Sequence, residues 1–250
     1  MTRVYFRVHC PLQRAVLVSA MAVLVCIGAP PAFAQAGAQK ASTNAPAKIK
    51  FRPPSTGAPS VRLTGGSRGS GDSAVTLDVL APDDVGLTTQ EQPSLFWHQS
   101  KPASARFEMT LLQENQVKPL LEVKGERALK SGINRLRLSE HGVKLSPGVE
   151  YQWVVALILD PENRSNDLVA SGIIKRVEAS ADLKTRLAGA TPESLPAVYA
   201  EAGIWYDALS HLSDRIEADP GNQALQEARA DLLRQAGLKA AVGPTVAAAQ

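Results

Sequence analysis

Val149-Glu150-Tyr151-Gln152-Trp153-Val154-Val155-Ala156-Leu157-Ile158-Leu159 decides the fold. Every second residue from Val149 to Leu159 is large and apolar, the period of a β-strand with one face in a core. The opposite face starts polar at Glu150 and Gln152 and turns apolar at Val154, Ala156 and Ile158. Burial on both faces over half its length places this strand in the middle of a sheet. A Pro147-Gly148 turn leads into it, and the turn-rich stretch Asp160–Asp167 leads out.

Six other segments alternate in the same way: Val75–Leu80, Ser94–His98, Arg106–Leu112, Val117–Val123, Ile133–Leu138 and Leu168–Val177. Seven short strands in about a hundred residues predict a two-sheet β-sandwich over 75–178. Leu145-Ser146-Pro147-Gly148-Val149-Glu150-Tyr151-Gln152-Trp153 resembles the approach to a central strand of fibronectin type III domains. The resemblance implies immunoglobulin-like topology and a tyrosine whose hydroxyl ties the corner.

At Ser180 the apolar period changes to about 3.6. Ser180 caps a short helix with Leu183 and Leu187, and Thr191-Pro192-Glu193 opens a second with Leu195, Val198, Tyr199 and Ala202 on its stripe. A third carries Trp205, Ala208, Leu209, Leu212 and Ile216 and ends at Asp219-Pro220-Gly221. A fourth runs from Asn222 to Gln235 and stops at Gly237. The spacing of Tyr199, Gly203, Trp205, Ala208, Leu212, Ile216 and Pro220 resembles a tetratricopeptide repeat, and Gly203 and Gly237 lie 34 residues apart. Pro192 and Pro196 depart from that motif.

The expected fold class is therefore α+β: a seven-stranded immunoglobulin/fibronectin III-like β-sandwich, a tetratricopeptide-like helical hairpin region over 179–238, and a disordered tail over 239–250. Trp205 and Tyr206 point about 100° apart on their helix, which predicts one buried ring and one exposed to a partner.

The first 34 residues have the layout of a secretory signal peptide. Arg3, Arg7 and Arg14 precede an apolar run, Ala15 to Ala29, that is too short for an ordinary membrane span. Ala32-Phe33-Ala34 supplies a small-x-small cleavage site between Ala34 and Gln35. The expected mature chain works in the periplasm or is secreted, and no membrane span remains. The formal charge of +3 is 27 minus 24; without the three signal arginines it is 24 minus 24, or zero. That balance argues against nucleic acid as a partner. Both cysteines, Cys10 and Cys26, lie in the signal.

Residues 35–74 are rich in Ala, Pro, Gly, Ser and Thr and carry Lys40, Lys48, Lys50, Arg52, Arg62 and Arg68 against Asp72 alone. They read as a flexible basic linker. Its arginines, Arg52, Arg62 and Arg68, join Trp205 and Tyr206 as candidate partner-binding residues.

Catalytic signals are weak. Gly65-Gly66-Ser67-Arg68-Gly69 fits the nucleophile-elbow pattern by letter but lacks the strand before and helix after that the chemistry needs. His98, His141 and His211 have no metal-ligand spacing. Asp160, Glu162, Asn163 and Asp167 lack the order of a calcium loop, and Arg164 opposes a cation there. No catalytic, cofactor or metal residue is assigned.

Four stretches, taken together, resemble the bacterial exported family known as domain of unknown function 928. They are Pro53-Pro54 with Gly57-Ala58-Pro59 and Gly65–Gly69; Gly86-Leu87-Thr88-Thr89 with Pro93; Tyr151-Gln152-Trp153 through Asp160-Pro161 and Arg164-Ser165; and Gly203-Ile204-Trp205-Tyr206-Asp207-Ala208-Leu209. Leu159 departs from what the resemblance implies, cysteine before the Asp-Pro in many relatives. The resemblance implies no activity, and it makes the Pro/Gly/Arg segment a recognition element as readily as a tether. The expectation is a non-enzymatic adaptor of the cell envelope with a protein partner. A cell-wall or polysaccharide-binding module is the alternative, and a hydrolase using Asp160 and Asp167 comes third.

Overall fold

Strand β8 (Glu150–Ile158) lies between two neighbours, as its two apolar faces require. In the computed structural model, which describes residues 48–54, 62–63, 65–66 and 75–242, it pairs antiparallel with β5 (Ala103–Gln113) and β9 (Leu168–Arg176). Tyr151, Trp153, Val155 and Leu157 on its inner face are buried. Trp153 sits opposite Gly172, where a Cβ would come within 2.8 Å of the Ala81 Cβ and 3.3 Å of the indole nitrogen. The Tyr151 hydroxyl accepts the Ser146 N–H at 3.0 Å, tying the turn to the strand it opens. Leu159 continues the alternation in sequence, but the strand ends at Ile158 and Leu159 is 41 % exposed.

The five-stranded sheet has the order β3 (Gly86–Thr88), β9, β8, β5, β6 (Leu121–Leu129). The four-stranded sheet has the order β1 (Gly65–Gly66), β2 (Thr76–Val79), β4 (Ser94–Gln99), β7 (Gly132–Arg137). Trp97 of β4 stacks on Phe107 of β5 at 5.1 Å between ring centroids, joining the inner faces of the two sheets. This arrangement overturns the seven-stranded immunoglobulin/fibronectin III-like sandwich. There are nine strands among the described residues, and β3 runs parallel to β9, making the larger sheet mixed. Three residues are too few to carry a period-two signal, so β3 has no signature of its own.

The helices are α1 (Ala181–Ala188), α2 (Leu195–Glu201), α3 (Trp205–Ala218) and α4 (Gln223–Gln235). Ser180 caps α1 by accepting the Leu183 N–H, and Asn222 caps α4 by accepting the Leu225 N–H. They do not form a repeat-like hairpin appended to the sheets. The first turn of α3 is set into the core, with Trp205 and Tyr206 both 0 % exposed. The Trp205 indole donates to the Leu80 carbonyl at 2.8 Å. The Tyr206 hydroxyl accepts from the Trp153 indole at 2.9 Å and donates to the Ile173 carbonyl at 3.2 Å. Both rings are therefore wall material, and neither is presented to a partner.

The described parts of the basic segment are also fixed. Ile49 and Phe51 are buried, and the Phe51 ring meets Trp205 edge-on at 5.0 Å. Phe51 N–H donates to the Gln235 side chain, which donates in turn to the Ile49 carbonyl, while Arg52 N–H bonds to the Ala200 carbonyl. Further on, Leu63 exchanges both backbone bonds with Ser171 of β9, and β1 two residues later pairs with β2. This strap crosses from one sheet to the other. Arg62 fastens it, donating to the Ala81 and Ala236 carbonyls and pairing with Asp83 at 3.1 Å. At the other terminus, Leu238 is buried and Lys239–Val242, the first four residues of the expected disordered tail, form a 3₁₀ turn. Arg68, Ser67 and the cleavage site at Ala34 and Gln35 lie outside the described residues, as do 243–250. No helix among the described residues is long and apolar enough to cross a membrane.

Candidate functional site: a two-sided cleft at the β7 edge

β7 is an edge strand: β4 covers one side, and no strand among the described residues pairs with the other. The phase of its hydrogen bonds follows from its neighbours. Leu80 N–H donates to the Phe96 carbonyl, so the even-numbered residues of β4 turn their backbone toward β2. Leu95 and Trp97 therefore face β7 and bond to Leu136 and Asn134, and the Leu138 N–H to Pro93 carbonyl bond continues that ladder. The backbone groups of Ile133, Arg135 and Arg137 are left pointing at the open edge.

A cavity opens on each face of this strand. On the inner side a space of about 350 Å³ is walled by Trp97, Phe107, Val123, Gly125 and Leu136, with the exposed side chains of Lys124, Glu140 and His141 at its margin. On the outer side a cleft of about 250 Å³ lies between β7, the 90–94 loop and α3, and is lined by Gln90, Arg135, Arg137, Ser210, His211 and Asp214 among others. Arg135 borders both. Its guanidinium sits 5.0 Å over the Phe96 ring, is only 12 % exposed, and bonds to Ser94, Asp214 and Glu217. Arg137 reaches Glu217 at 2.7 Å. His211 stacks on Tyr199 at 5.2 Å.

Asp207 forms the floor of the outer cleft at 1 % exposure. Its carboxylate accepts the Thr89 N–H at 3.0 Å and the Thr89 hydroxyl at 2.9 Å, holding the end of β3 to the first turn of α3. Burial pushes its pKa up, and hydrogen bonds from Thr88, Thr89 and Gln90 pull it part of the way back. The folded state thus holds this proton more tightly than the unfolded chain, whose aspartate titrates at about 3.9. The sign follows: stability falls as pH rises from about 4 through the raised value and then levels off. Asp207→Asn should flatten that fall. Urea unfolding across pH 4 to 7 checks it, and a variant curve parallel to wild type would remove Asp207 as the cause.

The stretches that stand apart in sequence meet at one seam. Gly86 lies so close to Tyr206 that a Cβ there would fall 2.5 Å from Cε2; Thr89 meets Asp207; Trp153 meets Tyr206; and Gly203 lies against the Arg52 carbonyl and Pro54. The family model for domain of unknown function 928 (DUF928) matches residues 63–245. The chain belongs to the DUF928 family. No curated protein matches it. In this DUF928 member the seam joins β3, β8 and α3, all within the matched residues, to the 48–54 segment, which lies before them.

The four described residues of the binding set proposed from sequence do not converge. Trp205 and Tyr206 are internal, Arg62 is a fastener, and Arg52 lies on the 48–54 segment with its side chain in solvent. Asp160 accepts the Glu162 N–H, and Asp167 is held by Arg164, which also reaches Glu108. No group of three or more His, Cys, Asp or Glu side chains able to hold a metal occurs among the described residues. His141 and His211, singled out only as possible ligands, border the inner and outer cavities instead. Arg135 and Arg137 escaped notice in the sequence because alternating arginines on an exposed strand carry no motif.

Proposed function

We propose that this DUF928 protein is a non-enzymatic interaction module of the cell envelope that acts outside the cytoplasm and binds a protein partner. The β7 edge carries the reading: three residues turn their backbone groups to a side with which no strand among the described residues pairs, on a strand with a cavity on each face. The signal-like first 34 residues supply the address. The carboxylates considered for acid–base work serve other ends, Asp167 in an ion pair and Asp160 in a turn. The polysaccharide alternative rested on an exposed ring from the Trp205–Tyr206 pair and on the basic linker, and burial of both rings removes the first of these two supports.

A photoreactive residue placed in turn at Gly125, Lys118 and Glu227, all exposed, tests the reading in intact cells. The expected result is a discrete protein adduct that depends on position, formed by a mature chain whose N-terminus is Gln35 by mass spectrometry. Absence of an adduct from all three positions, or an uncleaved Met1 form in the cytoplasm, would overturn it.

A further inference from the structure

We infer that β7 is a strand-addition site, taking an extended peptide segment of the partner that inserts a large apolar side chain inward and a neutral hydrogen-bonding side chain outward. This rests on the reading of the protein as an interaction module and names the surface and the occupant. The backbone supplies the first argument. Ile133, Arg135 and Arg137 present N–H and C=O groups at every second residue along an edge that no strand among the described residues pairs with, the spacing that an added strand satisfies. A small ligand or a helix does not offer backbone groups at that repeat.

The cavities supply the second argument. Successive side chains of a strand point to opposite faces, so a peptide laid along β7 sends alternate residues into the inner and the outer space. The inner space is walled by Trp97, Phe107, Val123 and Leu136 and suits an aromatic or a large aliphatic residue. The outer cleft contains two arginines, but both are already paired with Asp214 and Glu217. A charged side chain would have to compete with those pairs, whereas an amide or hydroxyl finds donors and acceptors without breaking them.

The test uses the mature full chain and a synthetic decapeptide with one phenylalanine between two glutamines in a serine–threonine host, followed by amide exchange in NMR spectra and by anisotropy of a fluorescein label. In the free protein the Ile133, Arg135 and Arg137 amides should exchange fast, while Asn134 and Leu136 stay protected by β4. Peptide should slow the first three at least tenfold and leave the other two unchanged. Gly125→Trp fills the inner space from a position where an added Cβ meets nothing within 4 Å, and should weaken binding at least tenfold. Ile133→Pro deletes an outward N–H without touching the β4 ladder and should do the same. Thermal melts of both variants establish that they are folded, and the wild-type exchange pattern stands without them. Absence of binding, binding without the alternating protection, or protection that appears with rising protein concentration alone would each overturn the proposal, the last by making a second copy the occupant. Position-dependent adducts at Lys118 or Glu227 with none of these signs would leave the interaction reading intact and remove β7 from it.

Discussion

Trp205→Ala should cost about 3–5 kcal/mol, the range for emptying a fully buried aromatic site. Single domains hold only about 5–15 kcal/mol in all, so this one change should consume a large share of the stability. Two things set the scale. The ring is 0 % exposed and packs edge-on against Phe51, so truncation opens a cavity between α3 and the 48–54 segment. Its N–H is also the partner of the Leu80 carbonyl, and a buried acceptor left alone adds about 1–3 kcal/mol to the loss or draws in water. Trp205→Phe separates these terms, keeping most of the packing and losing the hydrogen bond, and should cost clearly less than alanine. Urea unfolding with a common m-value gives both numbers. The outcome that would reverse the assignment is a Trp205→Ala protein within about 1 kcal/mol of wild type that has lost partner binding, because a docking residue behaves that way.

How much of this was open to a reader of the sequence differs by element, for reasons that can be named. β8 was legible because its inner residues are large and strictly alternate, and the Tyr151 tie to Ser146 came with the turn before it. Six of the seven segments read as strands hold most of a strand, whereas Val117–Val123 catches only the first three residues of β6; β1 and β3, of two and three residues, are too short to show a period. Sheet order was not legible, since β3 pairs with β9, some 88 residues on in the chain, and its end is held by Asp207, 118 residues away from Thr89. The 48–54 segment did carry a signal that composition averaged away: Lys48, Ile49, Lys50, Phe51 and Arg52 alternate, and the apolar pair is the part that packs. The β7 cleft had no signature at all. An open edge is defined by which strand fails to lie beside it, and local pattern says nothing of that.

The 34-residue spacing of Gly203 and Gly237 has a different cause from the one its period suggests, and the cause makes a second large prediction. Each glycine ends a helix in the left-handed region, at φ 77° and 76°. The residue after each bonds back five positions, Ile204 to Tyr199 and Leu238 to Leu233, and both of those following residues are buried. The interval therefore measures two equivalent helix stops, after α2 and after α4. Alanine at either position incurs the left-handed strain of about 1–2 kcal/mol. At Gly237 little else follows, because the nearest neighbour of a new Cβ among the described residues is the Asp83 carboxylate at 3.8 Å. At Gly203 the Cβ would stand 2.8 Å from the Arg52 carbonyl and 3.3 Å from the Pro54 ring, and it is backbone that must give way. Overpacking of that kind adds about 1–3 kcal/mol. Gly203→Ala should thus lose about 2–5 kcal/mol, and Gly237→Ala about 1–2 kcal/mol. Parallel urea curves measure the difference, and amide exchange at Arg52 locates it. That N–H bonds to Ala200 at 3.1 Å and should open in Gly203→Ala while staying protected in Gly237→Ala. Equal losses in the two variants would mean that strain alone accounts for both, and that the 48–54 segment is not clamped by the close approach at Gly203.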